Sequence, residues 1–195
     1  DDVKDALVAA VIRTRPEVAK LRAKAEDDGS HLPGFIDERV IYVTATGYRN
    51  YEQIYNNLVN NDIPKNAAEI NRAASYGDLS ENAEWTAAIE QQRQLTEKAA
   101  AMIAELKVAQ AIEDQQRLPD IVAPGMTVVY EQGGESKTIT ILGPWDQGEG
   151  VLSYNAPVAA GMLGTKAGDA ATLDLPEGSV TVKIESVTLA LPIEV

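Results

Sequence analysis

Trp85, Ala88, Gln92, Leu95, Ala99, Met102, Leu106 and Ala109 recur at spacings of 3, 4, 3, 4, 3, 4 and 3. This is a heptad stripe down one face of a helix, polar only at Gln92, and it predicts a helix over about 81–117. No Gly or Pro interrupts that span. Upstream, Ile63, Ala67, Ile70 and Ala74 are spaced 4, 3 and 4 within a helix predicted over about 47–75. Pro64 should kink or break that helix. Between the two, the only turn signal is Ser75-Tyr76-Gly77-Asp78, and so short a connection forces the helices antiparallel. The pattern predicts an antiparallel coiled-coil hairpin with arms of about 30 residues, roughly 45 Å long. The stretch GDLSENAEW lies at its tip, residues 77–85.

The pattern changes on either side. Residues 3–25 read as helix, an interruption at Pro16, then helix; 26–34 read as loop, and 35–43 as extended. Pro119 and Pro124 end the helical region. Beyond them MTVVY, KTITIL, GVLSY, AATLDL and SVTVKIESVTLAL alternate or are rich in β-branched residues, separated by turn formers. LPEGS is a hairpin-turn candidate, and NAPVAAGMLG suits a short helix capped by Asn155. The expected class is α+β: a helical N-terminal extension (1–41), a helical hairpin (42–118) and a small β-rich domain (119–195).

Composition narrows the function. The chain has 195 residues, 17 basic and 30 acidic, for a net charge of −13. A nucleic-acid binder acting alone normally shows a basic face, and none is evident, so independent DNA binding is disfavoured. An acidic protein can still reach nucleic acid through a basic partner. The absence of cysteine removes disulfides, thiolate chemistry and cysteine-based zinc sites. The single histidine, His31, argues against His-based catalysis and is expected to be exposed and inert. No apolar run approaches the roughly 20 residues that span a bilayer, and no secretory signal is visible. A cytoplasmic protein is expected. The chain begins with Asp1, which suggests processing or a piece of something longer.

Asp78, Glu81 and Glu84 concentrate charge at the tip. Acids at a helix start are ordinary, since they cap it and answer its dipole, and Asp78 with Glu81 fits a capping box. The chemical alternative is metal binding. Two neighbouring carboxylates suit Mg²⁺, which is held by one or two protein carboxylates and keeps several waters. Such a pair is half a site, to be completed by another molecule, where the ion would activate water for phosphodiester hydrolysis. Glu84 fits the helix surface better than a ligand set.

This arrangement resembles the Gre family of bacterial transcript cleavage factors. GDLSENAEW followed by TAAIEQQ is similar to the family's G-D-L-x-E-N-A-E-aromatic and E-Q-Q signature. VTATGYRNYEQI resembles the stretch leading into its first helix. NAPVAAGMLGTKAGDAATLDLPEG resembles its N-S-P motif and the residues after it. The likeness covers about 42–191, leaving the N-terminal extension outside it. It implies a coiled coil followed by an FKBP-like domain. It implies RNA polymerase as partner, with the coiled coil inserted in the secondary channel. Asp78 and Glu81 would then act in the polymerase active site on a shared Mg²⁺, with no tightly bound cofactor of the protein's own. The protein would stimulate cleavage of backtracked RNA by the polymerase and not be an enzyme itself. Leu79, Asn82 and Glu84 would support the tip, and Asn155, Ala156 and Pro157 would form the docking loop.

The sequence departs from the family where it should be basic. Ala74 and Ile89 stand at positions that usually carry a cation, which leaves Arg72 and Arg93 as candidate contacts to the RNA 3′ end. Ala156 replaces the usual serine of the loop. Two rival functions remain: a secondary-channel regulator that binds polymerase without stimulating cleavage, and, from another class, an FKBP-type prolyl isomerase or chaperone. Residues 119–195 offer only Tyr130, Trp145 and Tyr154 to an aromatic-lined pocket.

Overall fold

The computed structural model describes residues 36–77, 82–112, 120–176 and 178–190. The helices expected over 3–25, the loop holding His31 and the stretch 113–117 lie outside the described residues. The chain divides into two compact units, Asp1–Glu38 and Arg39–Val195. The helices and strands among the described residues all belong to the second unit.

Strand β1 (Ile41–Val43) leads into helix α1 (Ala45–Asn57), a π-helical turn (Leu58–Asp62) and helix α2 (Ile63–Ala74). Helix α3 (Ala83–Val108) returns and passes directly into strand β2 (Ala109–Ala111). Pro64 does interrupt the first arm, and the means is specific. Proline has no N–H to donate and its ring crowds the carbonyl four residues back. The widened turn absorbs this, with the Ile63 N–H reaching back to Leu58 O. Pro64 then sits in the first turn of α2, where a missing N–H costs little.

Two boundaries differ from expectation. Among the described residues of the extended stretch 35–43, only Ile41–Val43 is strand, and the second long helix stops at Val108 instead of running to 117. Tertiary pairing is the reason. β1 and β2 run parallel, from Ile41 opposite Ala109 to Val43 opposite Ala111. The pairing captures Ala109, the last member of the stripe, in extended conformation.

The two arms are antiparallel, as their cross-bonds show. Asn82 bonds Ala73, Asn66 bonds Ala88 and Gln92, and Tyr51 bonds Glu105, so partner numbers rise on one arm as they fall on the other. The heptad stripe is the inward face of α3. Ala88, Met102 and Leu106 are buried, and Trp85, Gln92, Leu95, Ala99 and Ala109 are half-buried. On α2 the centre of the face is not the predicted one. Asn66 and Ala73 are buried, while Ile63, Ala67, Ile70 and Ala74 flank them half-buried. Asn66, 2% exposed, donates through Nδ2 to Ala88 O (2.9 Å) and Gln92 Oε1 (2.8 Å). The one polar break in the stripe, Gln92, is therefore matched by a polar partner.

The remaining elements are β3 (Met126–Gln132), β4 (Glu135–Leu142), β5 (Val151–Ser153), helix α4 (Pro157–Ala160), β6 (Ala170–Leu175) and β7 (Gly178–Leu189). They form a five-stranded sheet in the order β5-β4-β3-β7-β6, antiparallel except for β4 with β5. Gly133 and Gly134, both at positive φ, make the two-residue turn between β3 and β4. β6 and β7 pair antiparallel on either side of the LPEGS stretch, with Leu175 opposite Gly178. The core takes alternate residues: Met126, Val128 and Tyr130 from β3, Val182 and Ile184 from β7, with Leu173, Ala159 and Met162. Helix α4 corrects a cap. Ala156 occupies the cap position without a side-chain bond, and Pro157 begins the helix. Asn155 lies one residue outside, its N–H on Ser153 Oγ.

Candidate functional site

Helix α2 ends at Ala74, and its cap residue Ser75 donates its N–H to the carbonyls of Asn71 and Arg72. Gly77 takes φ +110°, a conformation open to glycine because it has no Cβ. Helix α3 begins with Asn82 as its cap, and Asn82 Oδ1 accepts the Trp85 N–H at 3.0 Å. The same side chain donates through Nδ2 to Ala73 O at 2.8 Å. One amide thus satisfies the start of α3 and a carbonyl at the end of α2, and so fixes the spacing of the two arms. Asp78, Leu79 and Glu81 lie outside the described residues, between these fixed points. The cap role open to Asp78 in the sequence belongs to Asn82. Glu84 is exposed in the first turn of α3, where its charge answers the helix dipole.

The two arginines differ. Arg72 is exposed in the last turn of α2. Arg93 is engaged: Nε and Nη2 donate to Glu90, at 3.0 and 2.6 Å, and Nη1 donates to Glu97 at 2.6 Å. The hydrogen bonds from Arg93, helped by Gln94, draw the Glu90 carboxyl down to about 2. Both pairs are solvent-exposed, so they occupy the guanidinium without adding much stability.

The root of the hairpin holds a cluster that sequence reasoning missed. The loop after β4 carries Trp145 and Asp146 onto α1. Asp146 accepts the Thr44 N–H (3.1 Å), the Thr44 hydroxyl (2.5 Å) and the Gly143 N–H (2.9 Å). Thr44 is also the cap of α1, its Oγ1 accepting the Gly47 N–H at 2.9 Å. A Cβ on Gly47 would overlap the Asp146 carboxylate, and one on Gly143 would overlap Tyr42 O. Both glycines are there for close approach. Trp145 stacks on Tyr51 and meets Tyr48 at a tilt, and Tyr51 donates its hydroxyl to Glu105 on α3. Burial, reinforced by Glu105, pushes the Tyr51 hydroxyl up to about 12. Residues of this joint line an open cleft of about 540 Å³, with Ile54 exposed at its side. A tryptophan in GPWDQG, a loop otherwise made of turn formers, was the available signal.

Tyr154 extends the joint. Its buried ring meets Tyr42 edge-on, and its hydroxyl accepts the Tyr42 N–H at 3.3 Å. Directly after it, Asn155 and Pro157 are exposed and Ala156 is half-buried. These three expected docking residues are therefore neighbours at the hairpin root. Asn82, Glu84 and Arg72 gather at the other end, about 39 Å away along the 26-residue α3.

Comparison with known proteins bears on both ends. Residues 41–111 match the family described as Transcription elongation factor, N-terminal, and residues 116–189 match Transcription elongation factor, GreA/GreB, C-term. Transcription elongation factor GreA of Treponema pallidum is 31% identical over 159 residues, 80% of this chain and 98% of that protein. That of Bacillus licheniformis is 33% identical over 155 residues, 77% of this chain and 98% of that protein. This chain belongs to the GreA/GreB family of transcription elongation factors.

Among solved structures, GreA factor homolog 1 of Thermus thermophilus aligns with TM-score 0.36 and 17% identity, over 76% of this chain and 99% of that one. A GreA/GreB factor from Nitrosomonas europaea aligns with TM-score 0.32 and 20% identity, over 76% and 98%. The two family matches, over residues 41–111 and 116–189, cover the helical hairpin and the sheet respectively. Among the described residues of this GreA/GreB-family chain, no helix is long and apolar enough to cross a membrane.

Proposed function

We propose that this chain binds RNA polymerase in the cytoplasm, inserts its helical hairpin into the secondary channel as a coiled coil, and stimulates cleavage of backtracked RNA. The sheet would be the FKBP-like docking domain, with Asn155, Ala156 and Pro157 against the rim of the channel. The observation that carries this reading is GDLSENAEW between the arms of the hairpin, in a chain whose relatives are transcription elongation factors.

Asp78 and Glu81 are the residues that would hold a Mg²⁺ shared with the polymerase; two neighbouring hard carboxylates suit that ion, and Asn82, next in sequence after Glu81, caps the helix that follows them. When bound, the ion supplies activation of water for phosphodiester hydrolysis. The chain's own work is positional. Asn82, the residue after Glu81 in the chain, holds the two arms together, the Asn66–Gln92 contact holds their register, and the Asp146 joint carries the hairpin on the sheet. Cleavage of a backtracked elongation complex tests the reading. The wild-type protein should shorten the transcript, and Asp78→Asn with Glu81→Gln should abolish the effect. An inert wild type, or a double variant that works equally well, sinks it.

One observation favours the non-cleaving regulator. Arg93 is held by two glutamates, and the neighbouring positions are Ala74 and Ile89. In that case the protein should displace a cleavage factor from polymerase without shortening RNA.

A further inference from the structure

Tyr76 is the most exposed large hydrophobic side chain among the described residues, at 66%. It lies just beyond α2, one residue before Gly77. An aromatic ring buries about 150–250 Å² when it finds a partner. Within the hairpin Tyr76 has found none: among the described residues its hydroxyl makes no hydrogen bond and its ring meets no other ring.

The backbone beneath it is nevertheless hydrogen-bonded. The Tyr76 N–H donates to Ala73 O at 3.2 Å, and Ser75 Oγ donates to Arg72 O at 2.6 Å. Asn82 holds the same Ala73 carbonyl from the other arm. The ring is thus carried on a hydrogen-bonded turn, so little backbone freedom would be lost on contact.

The charges nearby bear on what the ring meets. Arg93 is occupied by Glu90 and Glu97, and Ala74 and Ile89 are uncharged, which leaves Arg72 to face a phosphate. One exposed arginine grips a polyanion weakly. A nucleobase, however, offers a π face to any aromatic ring, whatever the local charge.

We propose that Tyr76 stacks on the base of the extruded RNA 3′-terminal nucleotide, an inference that rests on reading this end of the hairpin as the one that meets backtracked RNA. Stacking then supplies a grip that the arginines do not supply by charge. Because every base has a π face, the grip tolerates any sequence.

The test places 2-aminopurine at the 3′ end of a backtracked transcript in a polymerase elongation complex. The wild-type protein should quench its fluorescence on binding. Tyr76→Phe keeps the ring and should quench as well. Tyr76→Ala should not quench, and should slow cleavage at subsaturating protein roughly tenfold, within the range measured for losing one stacked base. The proposal falls if the wild type does not quench, or if Tyr76→Ala quenches equally. It also falls if Tyr76→Ala weakens binding to polymerase while the quench at saturation is unchanged, since the ring is then seated on protein. Failure of the functional reading looks different: quenching depends on Tyr76, yet wild type and the Asp78→Asn/Glu81→Gln variant cleave alike.

Discussion

Tyr51 of α1 and Trp145 of the β4–β5 loop lie face to face, ring centroids 4.0 Å apart and planes within 7°. This contact joins the hairpin to the sheet. Because the Tyr51 hydroxyl also bonds Glu105 on α3, one side chain ties both arms to the loop. Trp145→Ala should cost roughly 2 kcal/mol, less than a fully buried aromatic because the ring is half-exposed. A double-mutant cycle with Tyr51→Ala, measured by urea unfolding, should return a coupling of about 0.5–1.5 kcal/mol. Simple additivity would mean that the stack contributes nothing of its own.

The same tyrosine makes stability pH-dependent in alkali. Its folded pKa is about 12 against an ordinary value of 10.0, so the folded state holds the proton more tightly than the unfolded chain. This stabilisation is fully present below about pH 10 and is lost as pH rises toward 12. The urea midpoint should fall across that window. Tyr51→Phe should flatten this part of the fall, and an identical slope in the variant would rule the assignment out.

Asp146 organises the joint by accepting from three donors at once. Asp146→Ala strands the Thr44 and Gly143 amides and should cost about 3 kcal/mol. Asp146→Asn keeps one acceptor oxygen and should cost less. Gly47→Ala should destabilise by a different route, steric overlap with the carboxylate, and should be partly relieved in an Asp146→Ala background. Thermal melts of the four proteins decide the matter; no relief would mean that Gly47 is needed for something other than room.

Asn66 is buried with Oδ1 unbonded among the described residues. Asn66→Leu removes that unsatisfied acceptor and should raise stability by about 1 kcal/mol, at the expense of a register device of the kind single buried polar residues provide. The check pairs a urea curve with hydrogen exchange along α2. A destabilised Asn66→Leu would mean that the bonds to Ala88 and Gln92 outweigh the unmet one.

Asn82→Ala loses a helix cap and a bridge between the arms together, and should cost about 1–2 kcal/mol. Asn82→Asp retains the acceptor for Trp85 but not the donor to Ala73, and should fall between the two. Equal stability of Asn82→Asp and wild type would show the bridge to be idle.

Much of this was legible in the chain. The Trp85-to-Leu106 stripe has the period of one helix face, and that face is buried because apolar burial rewards any arrangement that covers it. Alternation in β3 and the turn formers around β6 and β7 worked the same way, since period-two patterning and glycine turns are local properties. GDLSENAEW was recognisable for a related reason: its residues are contiguous. The helix ends were less legible. Asn82, not Asp78, caps α3, and the choice depends on reaching Ala73 across the hairpin.

By itself, then, the sequence determined the helical arms of the hairpin, most strands of the sheet, the turn at Gly77 and the family to which the chain belongs. Those are matters of local propensity, period and contiguous motif. Only the tertiary structure decided where α3 stops, that Asn66 faces Gln92, and that Asp146 and Trp145 lock the sheet to the hairpin root. Thr44 and Asp146 are far apart in the chain, and no local pattern links them. A carboxylate finds donors across such a distance only when the folded backbone brings them together, here because two glycines leave room for the approach.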